Sequence, residues 1–125
     1  MTDQILNISS LQDELAQFAS ERDWDQFHSP KNLSMALIVE VAELIEHFQW
    51  LTEGDSESLP ADVHAQVTEE LADIQIYLIR LADKLNVNIE TAIGAKLAVN
   101  RRKYPADKVR GSSAKYTVYQ DKSKT

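Results

Sequence analysis

The segment that most constrains this chain is its second predicted helix, which is apolar on nearly every side. From Leu33 to Ile45 it reads LSMALIVEVAELI, and only Ser34, Glu40 and Glu43 interrupt the apolar residues. A helix that is apolar all round is buried, and an ionised carboxylate is costly there unless it is paired or bound to a metal. At about 100° per residue, the two glutamates share one face of the helix. The presence of two glutamates on an apolar helix therefore requires a physical explanation, such as a paired charge or a bound metal.

Helical periodicity along the rest of the chain predicts an all-α fold, a four-helix bundle without strands. The predicted helices span about residues 10–22, 30–51, 62–85 and 89–102. A polar loop at about 52–60 separates the second helix from the third. We expect a single domain over residues 1–125, with a helical core at about 10–104 and a polar, irregular C-terminal tail at about 106–125.

Capping residues locate the starts of three of these helices. Ser10 and Asp13 have the spacing of an N-cap and its acidic partner, which predicts the first start. Ser29 as the cap and Pro30 at the first helical position predict the second. Asn88 predicts the start of the fourth.

Composition is typical of a globular protein and limits its partners. Among 125 residues, 43% are hydrophobic and 26% are charged. No stretch approaches the roughly 18 apolar residues of a membrane span, and the first residues lack signal-peptide character. The absence of cysteine predicts a cytoplasmic location without disulfides. A net charge of −7 argues against binding to a nucleic-acid polymer.

The third predicted helix carries a second carboxylate pair, Glu70 and Asp73, at the spacing of Glu40 and Glu43. Two such pairs on two long helices can converge on one hard cation. Four oxygen donors suit Mg²⁺, which keeps waters and takes substrate phosphates as its other ligands. The alternative is that each pair is an ordinary solvated helix face. The apolar surroundings of Glu40 and Glu43 favour the metal.

Basic and aromatic residues complement these carboxylates. Lys96, Asn100 and Lys103 share one face of the fourth predicted helix, which either points toward an anion or offsets the helix dipole. Trp24 precedes the second predicted helix, and Trp50 lies at its far end on the face of Glu40 and Glu43. Both tryptophans either stack a nucleobase or anchor the core.

At this point the chain resembles a known family, the MazG-like dCTP pyrophosphatases, which are all-α NTP pyrophosphohydrolases. The resemblance covers roughly residues 18–116 and rests on four segments: FASERDWDQFHSPKNLSMALIVEVAELIEHFQW, EELADIQIYLIRLA, KLAVNRRKYP and RGSSAKYT. The paired ExxE and ExxD patterns are weak alone, but they become strongly specific when ERDWDQFH and NRRKYP accompany them.

The resemblance implies Mg²⁺-dependent hydrolysis of dCTP and related pyrimidine nucleotides to monophosphate and pyrophosphate. It assigns the four carboxylates as metal ligands: Glu40, Glu43, Glu70 and Asp73. Either Glu40 or Glu43 would orient or deprotonate the attacking water. Family members form dimers or tetramers, so a homodimer or homotetramer is expected. Surplus apolar surface on the third predicted helix, through Ile76 and Ile79, also indicates self-association.

The resemblance also implies a set of substrate-binding residues. Trp24 and Trp50 would line the base pocket. Because stacking tolerates any base, we expect a polar residue such as Asn100 or His28 to discriminate among bases. The remaining positions near the nucleotide and its triphosphate are Tyr77, Lys96, Asn100 and Lys103. Leu15 stands where some dCTP-specific members carry a histidine, so the implied preference for cytosine is less exclusive.

Two other classes of function compete with this interpretation. A di-metal carboxylate bundle requires Glu-x-x-His on its helices. Here Glu43 is followed at that spacing by Glu46, and His47 comes one residue too late. An inactive or non-enzymatic acidic helical interaction protein is the second alternative, and it leaves the glutamates of the apolar helix without a physical reason.

Overall fold

The computed structural model describes residues 7–113, and every regular element within them is helical. The elements are α1 (Ile8–Glu21), a 3₁₀ helix (Asp25–Phe27), α2 (Pro30–Glu46), α3 (Glu53–Ser56), α4 (Ala61–Lys84), α5 (Ile89–Lys103) and α6 (Ala106–Val109). The prediction of an all-α fold with four long helices is therefore confirmed. None of these helices has the length and apolar character needed to cross a bilayer.

The described chain forms two compact units, one ending at Val87 and the other beginning at Asn88. In the first unit, α1 and α2 both pack on α4. Its buried apolar side chains come from these three helices: Ala19, Leu33, Val67, Ile79 and Ala82. Helix α4 is thus the central element of this unit. The second unit contains α5 and α6, and a single-domain organisation stays a prediction.

The N-cap of helix α1 lies three residues earlier than the sequence predicted. Asn7 is the N-cap, and its Oδ1 accepts a hydrogen bond from the backbone N–H of Ser10 at 2.8 Å. The Ser10 hydroxyl accepts in return from the backbone N–H of Asn7 at 3.1 Å. The prediction of Ser10 as the cap and Asp13 as its partner is wrong, because this reciprocal box leaves Ser10 inside the first turn.

Helix α2 begins as predicted but ends early. The Ser29 hydroxyl accepts from the N–H of Asn32 at 3.1 Å, and Pro30 is the first helical residue. The helix stops at Glu46, so the predicted end near residue 51 is wrong. The N–H of Leu51 donates to the carbonyl of Phe48 at 2.9 Å, a three-residue spacing that tightens the chain into turns.

The later helices fit the predicted pattern closely. Helix α4 lies within one residue of its predicted bounds, and the Asn88 side chain caps α5 by accepting from the N–H of Thr91 at 3.0 Å.

The predicted polar loop contains the short helix α3, and α6 lies in the tail that was predicted to be irregular. Both short helices begin where a cap or proline precedes acidic residues in the first turn. The tail from residue 114 onward lies outside the described residues.

Helix α1 ends in a left-handed residue that turns the chain back toward the helix. Asp23 has a φ of 54°, and its N–H donates to the carbonyl of Ser20 at 3.1 Å. The next N–H, of Trp24, reaches the carbonyl of Ala19 at 2.9 Å. This pair of bonds is a Schellman ending. It places Trp24 beside the C-terminal turn of α1.

Helix α2 is far less buried within one chain than its composition predicted. Leu33 is its only buried residue, whereas Ile38 is 62% exposed and three other apolar side chains are more than half exposed: Met35, Val39 and Ile45. On α4, Ile79 is buried within the chain and Ile76 is exposed. The predicted self-association surface is therefore wrong at Ile79, whereas four exposed apolar side chains lie on α2.

Candidate active site

A cavity of about 270 Å³ in the first unit joins an aromatic wall to a polar one. The apolar and aromatic wall is formed by Leu15, Phe18, Ala19, Trp24 and Ile76. The polar wall is formed by His28, Glu40, Asp73, Tyr77 and Arg80. Apolar walls with a few convergent polar groups are typical of small-molecule sites.

Five of the residues predicted from the sequence line this cavity: Trp24, His28, Glu40, Asp73 and Tyr77. The sequence reasoning missed Phe18 and Arg80 as lining residues. A signal for Arg80 was present, because Asp73, Tyr77 and Arg80 fall at i, i+4 and i+7 on one face of α4. Phe18 had no such signal, since its place in the wall depends on how the chain turns after α1.

Three of the predicted metal ligands act electrostatically on the fourth, Glu40. Burial is the largest cause that raises the pKa of Glu40 above its ordinary value of 4.5. The charges of Glu43, Asp73 and Glu70 raise it further, together with a hydrogen bond to Glu43. Since α2 carries two of these carboxylates and α4 the other two, the packing of α2 on α4 concentrates negative charge at one place.

Two carboxylate oxygens at this place lack hydrogen-bond partners. Oε2 of Glu40 and Oε2 of Glu70 are buried and receive no hydrogen bond among residues 7–113. Nε2 of His47 lies 2.9 Å from Oε2 of Glu70, which is ion-pair distance without hydrogen-bond geometry. A buried oxygen without a partner is costly, so Oε2 of Glu40 marks a place where a bound group would be stabilising.

The donor chemistry of the cluster fits a divalent cation. Hard cations such as Mg²⁺ take carboxylate oxygens and water, and such an ion would give the buried Oε2 of Glu40 a partner and offset the crowded negative charge. In the part of the chain that the structure describes, however, no group of three or more His, Asp or Glu side chains is arranged to enclose a metal. The carboxylates of α2 and α4 therefore do not form a closed coordination shell on their own.

The aromatic wall is built from three rings in contact. The Phe18 and Trp24 centroids lie 5.6 Å apart at an interplanar angle of 71°, an edge-on arrangement. The Trp24 and His28 centroids lie 6.3 Å apart. The guanidinium carbon of Arg22 lies 3.6 Å from the Phe18 centroid, so a cation covers this ring. These contacts hold Trp24 in place while it remains 43% exposed.

A charged network holds the segment after α1 against α4. Asp25 Oδ1 accepts from Arg80 Nη2 and, at 3.3 Å, from Lys84 Nζ. The hydrogen bond from Lys84 holds the pKa of Asp25 below its ordinary value of 3.8, and the charge of Arg80 contributes. Burial, followed by the charge of Arg80, lowers the pKa of His28 below 6.5.

The other predicted substrate-binding residues lie elsewhere. Trp50 follows α2 in a turn, is 88% exposed and does not line the cavity, so its predicted place on the glutamate face of the helix is wrong. Lys96, Asn100 and Lys103 all lie on α5, as predicted, in the second unit. Lys96 is exposed, whereas Asn100 and Lys103 are half-buried.

The chain is similar to known pyrophosphatases in sequence and in structure. The chain is 48% identical to dCTP pyrophosphatase 1 of Homo sapiens over 104 residues and 47% identical to that of Mus musculus. Both alignments cover 82% of this chain and 61% of the relative, so the chain spans less than two thirds of these relatives. A crystal structure of a pyrophosphatase from Archaeoglobus fulgidus superposes with a TM-score of 0.70 and 38% identity, over 84% of this chain and 98% of the other.

The family model of the MazG-like family matches residues 35–118. The match includes both carboxylate pairs and most of the polar wall of the cavity. With the helical architecture and the sequence identities, it establishes that this chain belongs to the MazG-like family.

Proposed function

We propose that this chain hydrolyses nucleoside triphosphates, in particular dCTP and related pyrimidine nucleotides, to the monophosphate and pyrophosphate. The observation that carries the proposal is the buried Oε2 of Glu40, which receives no hydrogen bond among residues 7–113 and belongs to a side chain that lines the cavity together with Asp73. The names of the relatives, dCTP pyrophosphatase and pyrophosphatase, support the same chemistry.

In this proposal the four carboxylates hold a divalent cation, Mg²⁺, beside the triphosphate. When bound, such an ion neutralises phosphate charge and lowers the pKa of a water molecule. The buried Oε2 of Glu40, which receives no hydrogen bond among residues 7–113, supports this residue as a ligand. Because α2 and α4 are packed together, the donors are held in place before substrate arrives, which limits the reorganisation needed for catalysis.

The residues of the cavity then orient the substrate for attack by water. Trp24 stacks the base, and His28 hydrogen-bonds its edge. Tyr77 lies on α4 one turn from Asp73, between the aromatic wall and the carboxylates in our proposal. Glu40 or Glu43 orients or deprotonates the water that attacks the α-phosphorus, and pyrophosphate leaves. Nucleotide contact by Trp50, Lys96, Asn100 and Lys103 stays a prediction.

We also propose a homo-oligomer, either a dimer or a tetramer, and a cytoplasmic location. The exposed apolar side chains of α2 support self-association, because a large apolar patch is rare on a monomer. The predicted absence of nucleic-acid and membrane partners rests on the net charge and on the sequence pattern.

The test is a panel of the eight common ribo- and deoxyribonucleoside triphosphates, incubated with the chain and Mg²⁺, with products separated by ion exchange. We expect monophosphate and pyrophosphate in equal amounts, fastest from dCTP, and no turnover in excess EDTA. Orthophosphate as the first product would contradict the proposed bond cleavage. No hydrolysis of any nucleotide would favour the acidic interaction protein instead.

A further inference from the structure

Arg80 is a buried arginine whose guanidinium donates hydrogen bonds in three directions. It is 5% exposed. Nε donates to Nδ1 of His28 at 3.2 Å, Nη1 donates to Oδ2 of Asp83 at 3.1 Å, and Nη2 donates to Asp25. Asp83 is itself fixed, because its other oxygen accepts from Gln12 of α1 at 2.9 Å. A planar guanidinium held at three positions has little freedom to turn.

The bond from Arg80 determines which nitrogen of His28 carries a proton. An arginine N–H only donates, so Nδ1 must accept with its lone pair. A neutral imidazole whose Nδ1 carries no proton has its proton on Nε2. His28 lines the cavity next to Trp24. With Nδ1 engaged by Arg80, the ring nitrogen left to bond a ligand is Nε2, which is a donor and not an acceptor.

We propose that Arg80 is a positioning residue that fixes His28 as its neutral, Nε2-protonated tautomer, so that the cavity selects bases with an acceptor at the contacted edge. This inference rests on the proposed nucleotide substrate. Cytosine presents N3 as an acceptor, whereas uracil presents an N3–H donor at the same place. A histidine that only donates can form a hydrogen bond to N3 of cytosine. With uracil, the histidine N–H faces the N3–H, so two donors oppose each other, and a site of this kind rejects uracil.

A purely structural role for Arg80 is the competing explanation, since the same guanidinium ties Asp25 to α4. The two roles predict different results. A structural role lowers the turnover of every nucleotide by the same factor. A positioning role changes the ratio between two nucleotides that differ only at the contacted edge, and it fixes the tautomer of His28 in the free protein.

The first measurement is long-range ¹H–¹⁵N correlation NMR of the full chain without nucleotide, with the His28 signals identified from their loss in His28→Gln. We expect a protonated Nε2 and an Nδ1 whose shift is displaced by hydrogen bonding at neutral pH. In Arg80→Lys that displacement should disappear. A protonated Nδ1 or a charged ring in the wild-type protein would overturn the proposal, whether or not the chain hydrolyses nucleotides.

The second measurement is the ratio of kcat/KM for dCTP to that for dUTP. Arg80→Lys should lower this ratio by about tenfold, close to the value of one hydrogen bond. His28→Gln, whose amide both donates and accepts, should lower it similarly and serves if Arg80→Lys does not fold. Lys84→Met, which removes the other cation bound to Asp25, should leave the ratio unchanged. Equal losses for both nucleotides in Arg80→Lys and His28→Gln would contradict the selection.

Discussion

Asp73 on α4 lies close enough to Glu40 on α2 for its negative charge to raise the pKa of Glu40, and both residues line one cavity. The two helices bring their carboxylate pairs together because they pack along each other. The apolar residues of α2 and α4 therefore have a functional consequence, since their packing determines where the acidic side chains meet.

The carboxylates should be required for activity but not for folding. Glu40→Gln, Glu43→Gln, Glu70→Gln and Asp73→Asn should each lower kcat/KM for dCTP by more than about 100-fold, the scale of removing one preorganised electrostatic partner. Circular dichroism should show unchanged helical content, because each change relieves charge crowding. The matched control is Glu46→Gln, at the exposed end of α2, which should retain wild-type kinetics. Full activity in any of the four variants would remove that residue from the site.

Stability should depend on pH through His28. Its folded pKa is lowered below 6.5, so the unfolded chain binds a proton at higher pH than the folded chain does. The free energy of unfolding should therefore fall as the pH decreases below about 6.5 and level off below the folded pKa. Urea unfolding of wild type and His28→Gln across pH 5 to 8 checks this. The variant should lack this part of the pH dependence, and parallel curves would contradict the assignment.

Base stacking should depend on Trp24 in a way that does not distinguish bases. Trp24→Ala should weaken all nucleotides by about 5–150-fold, because base–aromatic stacking is worth ~1–3 kcal/mol and tolerates any base. Initial rates with dCTP, dUTP and dATP would show a common factor. Phe18→Leu, which alters the edge contact to Trp24, should give a smaller loss of the same kind. A Trp24→Ala protein that loses only cytosine substrates would mean that this residue reads the base.

Self-association should depend on the exposed face of α2. Ile38→Glu should shift the oligomer toward monomer, because it places a charge in the apolar face that the proposed partner covers. Light scattering at micromolar concentration measures this, with Glu46→Gln as a control on the same helix. A wild-type mass of about 14.1 kDa would show that the chain is a monomer and that this apolar face has another role.

The sequence predicted the features that depend on local spacing. Ser29 and Asn88 cap their helices because their side chains act on a backbone N–H three residues later, a relation visible in the sequence. The end of α2 at Glu46 could not be predicted, since apolar residues continue past it without glycine or proline. The early start of α1 was missed because Ser10 can either cap a helix or complete a capping box.

The candidate site shows the same difference between local features, which the sequence predicted, and long-range contacts, which it did not. Glu40 and Asp73 were recognisable as acidic residues in apolar helices. The role of Arg80 was not, because its bonds to His28 and Asp25 join residues far apart in the chain and exist only after α4 packs against the segment that follows α1. The placement of Trp50 failed for a related reason: it depended on a helix that continued past Glu46.

The most direct test of the proposed chemistry is the position of a water oxygen in the products. Hydrolysis of dCTP with Mg²⁺ in ¹⁸O-enriched water, followed by mass spectrometry, should place one labelled oxygen in dCMP and none in pyrophosphate, because water attacks the α-phosphorus. Label in pyrophosphate would mean attack at the β-phosphorus, and label in orthophosphate would mean cleavage of the terminal phosphate. Either result would contradict our account of this site.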